Sequence, residues 1–124
     1  MLLTFDFSSN TPLYIQLRNQ IIIGIADGRL ISGEKLPTVR ALAEESGINT
    51  MTVSKAYQLL KAEGYLVTDR RAGAVVRAPR GKAAGLSADQ TARLNLLAGE
   101  ARLAGLTLED FVAACKAAFG ETED

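Results

Sequence analysis

The chain has 124 residues, of which 48% are apolar and 23% are charged, and this size suits one ordinary domain or a small domain with an appended element. Its 14 basic and 14 acidic side chains cancel, and it contains no histidine, the commonest general base and metal ligand. The sequence also offers no paired carboxylates at an inferred cleft and no phosphate-binding glycine pattern, so an enzyme is poorly supported, and neither a cofactor nor a metal is expected.

The first segments predict a strand and a helix. Residues 3–7 alternate between apolar and polar side chains, as a short edge strand does. Thr11 is suited to cap a helix, and Pro12 is suited to its first position. The helix is expected to end near Gly28. Its predicted apolar stripe contains Leu13, Leu17, Ile21 and Ile25, flanked by Tyr14 and Ile22.

A helix-turn-helix is predicted next. Residues 28–37 combine two glycines and a proline, which indicates an ordered loop. Thr38 is suited to cap a helix that stops at Gly47, and a second helix is expected from Thr50 up to Gly64. The predicted buried residues are Val39, Leu42 and Ala43 in the first helix and Val53, Ala56, Tyr57 and Leu60 in the second. Two short helices around a tight glycine turn are typical of a helix-turn-helix.

A hairpin is predicted after the second helix. Residues 65–68 and 74–77 are β-rich arms joined by a basic turn that contains glycine, which indicates the wing of a winged helix-turn-helix domain. Residues 79–86 mix proline, glycine and charge without periodicity, as a linker does. The winged domain is therefore expected to span residues 1–78.

The remaining residues 87–124 predict two helices and an acidic end. Ser87 with Gln90, and Thr107 with Asp110, form two candidate capping boxes. The apolar stripe of the two helices comprises Leu94, Leu97, Ala98, Ala101, Leu108, Phe111, Val112, Cys115 and Phe119. Because two short helices bury little on their own, we expect this stripe to pair with a second copy of the chain in a homodimer. Folding back onto the winged domain is the alternative.

The expected fold class is mainly α with a small β-hairpin, a winged helix-turn-helix domain followed by a two-helix dimerisation element. Cys115 is the one cysteine, which excludes an internal disulfide. We interpret it as a buried small apolar residue, with a reactive thiol as the alternative. The chain start does not resemble a signal peptide, and no apolar run approaches the ~20 residues that cross a bilayer. We therefore expect a cytoplasmic protein without a membrane partner.

The second helix of the predicted helix-turn-helix begins with short polar side chains. Such a helix fits the major groove of duplex DNA and points its N-terminal side chains at base edges. The candidate DNA contacts are Asn49, Thr50, Met51, Thr52, Ser54 and Lys55. Hydroxyl and amide groups hydrogen-bond phosphates or bases, and Met51 offers apolar contact to a thymine methyl group. Simple capping is the alternative for Asn49, and a solvated lysine is the alternative for Lys55.

Cations precede and follow this helix. Arg40 lies in the first turn of the preceding helix, where the helix dipole favours an acidic residue, so we expect it to contact DNA. A salt bridge with Glu44 is the alternative. Arg70 and Arg71 lie beside Gly73 in the predicted wing, where they can enter a minor groove or lie along phosphates. A solvated basic turn is the alternative.

The charge is divided unevenly along the chain. Residues 1–82 hold 11 Lys and Arg against 7 Asp and Glu, a net charge of +4. Residues 83–124 hold 3 against 7, a net charge of −4. This asymmetry favours a basic half that contacts a polyanion and an acidic half kept away from it.

The sequence resembles the GntR family of bacterial regulators. The motif that carries the resemblance is Gly28-x-Leu30-x-x-Gly33-x-x-Leu36-Pro37-Thr38-x-Arg40-x-Leu42-Ala43, then Gly47-Ile48-Asn49-x-x-Thr52-Val53-x-x-Ala56-Tyr57-x-x-Leu60-x-x-Glu63-Gly64-Tyr65. The stretches 12–17 and 53–57 resemble the YtrA subfamily, whose members carry a short helical tail. Ala41 and Met51 depart from the family pattern, which has an acid and a polar residue there, so an operator sequence cannot be transferred.

The resemblance implies a winged-helix DNA reader. Thr38, Arg40, Asn49, Thr52 and the wing turn around Gly73 would contact DNA. It further implies a dimer on a two-fold operator, usually as a repressor.

The leading hypothesis is therefore a sequence-specific regulator that binds double-stranded DNA as a homodimer. The alternative is a winged-helix module that binds a protein instead of DNA, which retention of Arg40 and the basic turn disfavours. A small-molecule effector is left open, because no residue indicates its chemistry.

Overall fold

The computed structural model of the chain describes residues 3–79, 81 and 83–120. Its helices and strands are α1 (Leu13–Ala26), α2 (Val39–Ser46), α3 (Thr50–Glu63), β1 (Leu66–Asp69), β2 (Gly73–Val76), α4 (Ala88–Leu103) and α5 (Leu108–Phe119). This arrangement confirms the predicted fold class, mainly α with a small hairpin. The chain divides into two compact units, residues 1–80 and 81–124. Arg80 and Lys82 of the predicted linker, and the acidic end at 121–124, lie outside the described residues.

The predicted strand at residues 3–7 is wrong, because glutamine side chains occupy its backbone groups. The Thr4 N–H donates to Gln20 Oε1 at 2.9 Å, and Gln20 Nε2 donates to the Thr4 carbonyl at 2.7 Å. Gln16 forms the same pair of bonds with the backbone of Asp6, both at 2.9 Å. The segment is therefore fixed to the side of α1 without a strand partner.

The predicted start of α1 is also wrong in detail. The helix begins at Leu13, Pro12 is its cap residue, and no side chain caps it. The Thr11 carbonyl instead accepts a bond from Gln16 Nε2 at 2.8 Å. The Pro12 carbonyl accepts from the N–H groups of Ile15 and Gln16, so the first turn closes on the proline.

The core of the first unit lies where α3 packs against α1, α2 and β1. Its buried residues are Leu17, Ile21, Leu30, Leu36, Leu42, Ala43, Val53, Ala56, Tyr57, Leu60, Leu66 and Val76. The predicted buried residues of α3 are confirmed, whereas Val39 of α2 is half-buried. Arg18 of α1 holds the last residue of α3 through two bonds to the Glu63 carboxylate, at 2.7 and 2.9 Å.

The two helices of the predicted helix-turn-helix have the expected ends. Thr38 Oγ1 accepts a bond from the Ala41 N–H at 3.0 Å, which caps α2. Gly47 has a φ of 69°, a left-handed conformation that glycine adopts without steric cost. Helix α3 then begins after only Ile48 and Asn49. The turn is therefore as tight as the sequence predicts.

The wing is an antiparallel hairpin in which Leu66 pairs with Val76 and Asp69 pairs with Gly73. The free edge of β2 is covered by the loop before α2, which was predicted only as ordered. The Leu36 N–H donates to the Ala74 carbonyl at 2.9 Å, and the Val76 N–H donates to the Glu34 carbonyl at 2.8 Å. The hairpin is therefore bonded to the segment that leads into α2.

The second unit consists of α4 and α5, and both predicted capping boxes are confirmed. No described residue of either helix is buried. Cys115 is exposed, so the expectation of a buried cysteine is wrong for the single chain. The physical reason is that two helices alone enclose too little volume to cover their apolar side chains.

Tyr57 supplies a pH test of the core. It is 3% exposed, its hydroxyl donates to the Pro37 carbonyl at 2.8 Å, and burial raises its pKa to about 12. The unfolded chain loses the Tyr57 proton near pH 10, before the folded chain does, so stability should fall by about 1 to 2 kcal/mol between about pH 10 and 12. Urea denaturation across this range measures the loss.

Tyr57→Phe is the control for this prediction. It should cost about 1 kcal/mol at neutral pH, because the Pro37 carbonyl loses its partner. It should also remove the part of the alkaline loss that Tyr57 causes. Equal losses of stability in the wild type and in Tyr57→Phe across this pH range would show that Tyr57 does not cause the alkaline loss.

Candidate nucleic-acid interface

The N-terminal turn of α3 is exposed on the side away from the core. Asn49 Oδ1 accepts a bond from the Met51 N–H at 2.7 Å, so Asn49 caps the helix. Its amide nitrogen has no hydrogen bond to another described residue. The Met51 side chain is 78% exposed, although it is apolar. Capping and an external contact are therefore compatible for Asn49.

An open groove runs along this turn. It has a volume of about 580 Å³, and its lining residues are Tyr14, Met51, Thr52, Ser54, Lys55 and Gln58. The lining offers hydroxyl groups, an amide and a cation. No carboxylate contributes to it. This is the chemistry that binds an anion.

Lys55 lies at the rim of this groove with its ammonium over an aromatic ring. Lys55 Nζ is 4.1 Å from the centroid of the Tyr14 ring, within the range of a cation–π contact. Lys55 is nevertheless exposed. The contact fixes the ammonium beside α3 without burying it.

Arg40 lies in the first turn of α2 with its side chain 87% exposed. Its Nε atom is 3.8 Å from Glu44 Oε1, at the outer limit of a salt bridge. A long contact between two exposed side chains contributes little to stability. The salt bridge that was the alternative for Arg40 is therefore present in the free protein, and it leaves the guanidinium accessible to another anion.

The tip of the wing is held by Asp69. Its carboxylate accepts bonds from the N–H groups of Ala72 at 3.1 Å and Arg71 at 2.7 Å. These two donors, Ala72 first, lower the pKa of the Asp69 carboxyl below its ordinary value. Gly73 has a φ of 79°, and Arg70 and Arg71 are exposed. The turn thus presents two cations on a backbone of fixed shape.

Hydrogen bonds connect the elements that carry these residues. The Tyr57 hydroxyl on α3 holds the Pro37 carbonyl, one residue before the Thr38 cap of α2. The segment that ends at Pro37 is in turn bonded to β2. The structure brings Met51, Thr52, Ser54 and Lys55 into one groove. Asn49 and Thr50 lie at the start of the same helix, and the remaining predicted contacts lie at the start of α2 and in the wing.

Three residues of this surface were missed by the sequence analysis. Tyr14 and Gln58 line the groove, and Asp69 fixes the wing turn. Tyr14 was assigned to the flank of a buried stripe, and no local pattern relates it to Lys55. Asp69 did have a local signal, because an aspartate followed two residues later by a turn N–H is typical of an Asx-turn.

A second exposed surface lies on α4 and α5. The predicted dimerisation residues are exposed or half-buried: Phe111 is half-buried, and the other large ones range from Leu94 at 39% to Phe119 at 88% exposed. Ala98, Ala101 and Phe111 line an apolar cavity of about 340 Å³ within this unit. None of the described helices is long and apolar enough to cross a membrane. Residues 3–79, 81 and 83–120 contain no cluster of acidic or cysteine side chains suited to a metal ion.

Comparison with known proteins assigns the first unit to a family. Residues 13–76 match the family model described as bacterial regulatory proteins, gntR family. The HTH-type transcriptional regulator Rv1152 of Mycobacterium tuberculosis is 35% identical over 87% of this chain and 86% of its own length. The HTH-type transcriptional repressor YtrA of Bacillus subtilis is 39% identical over 60% of this chain and 58% of its own length.

Solved structures agree with this assignment. YtrA from Sulfolobus acidocaldarius, a GntR-family transcription factor, has a TM-score of 0.60 at 32% identity, covering 93% of this chain and 94% of its own. AraR(DBD) in complex with operator ORX1 has a TM-score of 0.54 at 25% identity, covering 62% of this chain and 96% of its own. The fold is therefore shared with transcriptional regulators, one of which was solved on DNA.

The cap of α3 supplies a stability prediction. Asn49→Ala removes the acceptor for the Met51 N–H and should lower the free energy of unfolding by about 1 kcal/mol. Asn49→Asp keeps an acceptor at the same position and should leave stability within about 0.5 kcal/mol of the wild type. Urea denaturation followed by far-UV circular dichroism measures both values.

Asn95→Ala is the matched control, because Asn95 lies inside α4 and caps nothing. Alanine favours a helix interior more than asparagine does, so this variant should not be destabilised. Equal losses in Asn49→Ala and Asn49→Asp would show that the cap does not stabilise α3.

Proposed function

Because this chain belongs to the gntR family of bacterial regulatory proteins, we propose that it represses transcription by binding a two-fold DNA operator as a homodimer. The observation that carries the proposal is the asymmetry of α3. One side of the helix supplies Val53, Ala56, Tyr57 and Leu60 to the core. In its N-terminal turn, Thr50 and Met51 are exposed, Thr52 is half-buried, and no side chain is acidic. A helix of this kind can enter a major groove without disturbing its own domain.

We assign the base contacts to the start of α3. Thr50, Thr52 and Ser54 offer hydroxyl groups to bases or phosphates, and Asn49 offers the amide nitrogen that its cap bond leaves unused. Met51 would pack against a thymine methyl group, which explains the exposure of a large apolar side chain at this position.

We assign the backbone contacts to α2 and the wing. Thr38 and Arg40 stand at the N-terminus of α2, where free N–H groups and the helix dipole attract a phosphate. Arg70 and Arg71 flank the turn that Asp69 holds, next to Gly73. A thin turn of this kind fits a minor groove or the phosphates beside it.

The helix dipoles support this division of the chain. The first turns of α1, α2 and α3 contain no acidic residue. The first turns of α4 and α5 contain Asp89, Glu109 and Asp110. Acidic side chains neutralise the positive end of a helix, so only the helices of the first unit keep that end available to phosphates.

The homodimer is proposed from the apolar surface of α4 and α5. Leu94, Leu97, Ala101, Leu108, Phe111, Val112, Cys115 and Phe119 lie on these helices at the spacing of one face, and none is buried. A contiguous apolar surface of this kind is typical of an interface between subunits. A two-fold dimer would place two α3 helices about one DNA turn apart, or a multiple of it.

Three finer points belong to this proposal. Repression is proposed by analogy with the transcriptional repressor YtrA of Bacillus subtilis, and a cytoplasmic location is proposed because the protein needs access to chromosomal DNA. The proposed role needs neither an enzyme activity nor a cofactor. The second candidate function, a protein-binding winged helix, is disfavoured by the groove at α3, whose lining carries a cation and no carboxylate.

Selection of bound sequences from a random duplex pool tests the function. The expected result is an enriched palindrome whose half-site centres are separated by about one helical turn, or a multiple of it. Affinity for it should fall steeply with salt, because phosphate contacts release counterions. Failure to enrich any sequence at low salt would contradict sequence-specific binding and favour the protein-binding alternative.

Arg40→Ala tests the assigned surface on the enriched duplex. We expect affinity to fall about tenfold or more while the fold is unchanged, since the side chain is 87% exposed. Arg93→Ala is the matched control, because Arg93 forms a pair of the same spacing and 3.8 Å length with Asp89 on α4. Equal affinities of the two variants would contradict a role for Arg40 in DNA binding.

Leu97→Glu tests the dimer. Burying an unpaired carboxylate in an apolar interface is costly, so dimerisation should weaken by about a hundredfold. Leu103→Glu is the matched control, because helical spacing puts Leu103 about 120° from Leu97 around α4, outside the proposed face, and it is 93% exposed. Sedimentation equilibrium measures both, and a wild-type protein that is monomeric at all concentrations would contradict the homodimer.

A further inference from the structure

The contact between Lys55 and Tyr14 crosses from one helix to another. Tyr14 lies in the first turn of α1, and Lys55 lies in the second turn of α3. The 4.1 Å separation of Nζ from the ring centroid is well inside the distance at which an aromatic face attracts a cation. In the described part of the chain, no carboxylate forms a salt bridge with Lys55. The ring is therefore what fixes the position of this ammonium.

A lysine held in this way is prepared to bind an anion. The aromatic face covers one side of the ammonium and leaves N–H groups pointing elsewhere. A free lysine loses rotamer entropy when it binds, whereas a lysine already held by a ring loses less. The exposed position of Lys55 allows an anion to approach from the solvent side.

The surrounding groove favours a phosphate as that anion. Thr52 and Ser54 supply hydroxyl groups, Gln58 supplies an amide, and none of the lining residues is acidic. The groove is wide and open, with a volume of about 580 Å³, which suits a continuous backbone rather than an enclosed small molecule. An ammonium is a compact point charge without the planar fork of a guanidinium, and a point charge of this kind suits a phosphate oxygen.

We propose that Tyr14 is a positioning residue that holds Lys55 against a phosphate of the DNA backbone. The DNA-binding surface would then extend from α3 across the groove onto the first turn of α1. This inference rests on the proposed DNA binding, and it adds a residue of α1 that the assigned base and backbone contacts do not include. The contribution of Tyr14 and Lys55 to affinity should be independent of base sequence, because every nucleotide carries the same phosphate.

Lys55→Met is the first test, because methionine keeps an unbranched stem and removes the charge. On a mixed-sequence duplex and on the enriched duplex alike, binding should weaken about three- to tenfold. The slope of log affinity against log salt should fall by about 0.9, the value for one lost phosphate contact. Lys61→Met is the matched control, since Lys61 is an exposed lysine of the same helix outside the groove, and it should change neither quantity.

Tyr14 variants separate positioning from direct contact. Tyr14→Leu removes the ring and should weaken binding about two- to fivefold, but it should add nothing in the Lys55→Met background. Tyr14→Phe keeps the ring and should bind as the wild type does. In the free protein, the ring current should shift the ε-methylene protons of Lys55 upfield in the wild type and in Tyr14→Phe, but not in Tyr14→Leu.

Each result of these measurements decides the inference. Wild-type affinity in Lys55→Met, additive losses in the double variant, or equal losses in Tyr14→Phe and Tyr14→Leu would overturn it while leaving DNA binding intact. A wild-type protein that binds neither duplex would overturn the proposed function and this inference with it. An unshifted ε-methylene signal in the wild type would overturn the contact itself.

Discussion

The arrangement of the first unit depends on the packing of α3, which contacts the core along one side only. Val53, Ala56, Tyr57 and Leu60 are buried, and they stack at helical spacing against α1, α2 and β1. Burial of these side chains fixes the helix axis, so its N-terminal turn needs no contacts of its own beyond the Asn49 cap. The core thereby supports an exposed polar tip that would otherwise fray.

The Tyr57 hydroxyl extends this support to the neighbouring helix. A buried hydroxyl requires a hydrogen-bond partner, and the Pro37 carbonyl supplies it. Pro37 lies one residue before Thr38, the cap of α2. The same segment covers the edge of β2 through Leu36. The segment before α2 is therefore bonded both to the side of α3 and to the wing, so it connects the three elements to which DNA contacts are assigned.

The chain as a whole has a net charge of zero, but the two units differ in the charges at the starts of their helices. Neutral side chains, Thr38 and Asn49, cap α2 and α3 of the first unit, and none of the first unit's helices has an acidic residue in its first turn. Capping boxes with acidic residues in the first turn serve the helices of the second. The proposed DNA surface and the proposed dimer surface thus differ in electrostatics at the same structural position, the helix start, as well as in overall charge.

Much of this architecture was determined by the sequence alone, because helix caps, glycine stops and apolar spacing are local signals. Thr38, Gly47, Asn49 and Gly64 mark the ends of α2 and α3 by chemistry that acts within a few residues. The hairpin and both capping boxes were predicted for the same reason. The long motif from Gly28 to Tyr65 was sufficient to identify the family.

The tertiary structure decided whatever depends on groups distant in sequence. Gln16 and Gln20 replace the expected strand at residues 3–7, because a side chain of α1 can satisfy a backbone group that no local pattern connects to it. Tyr14 meets Lys55 only because α1 crosses α3 there. Cys115 is exposed because burial depends on the volume that neighbouring elements enclose, and an apolar stripe in a sequence does not specify which surface covers it.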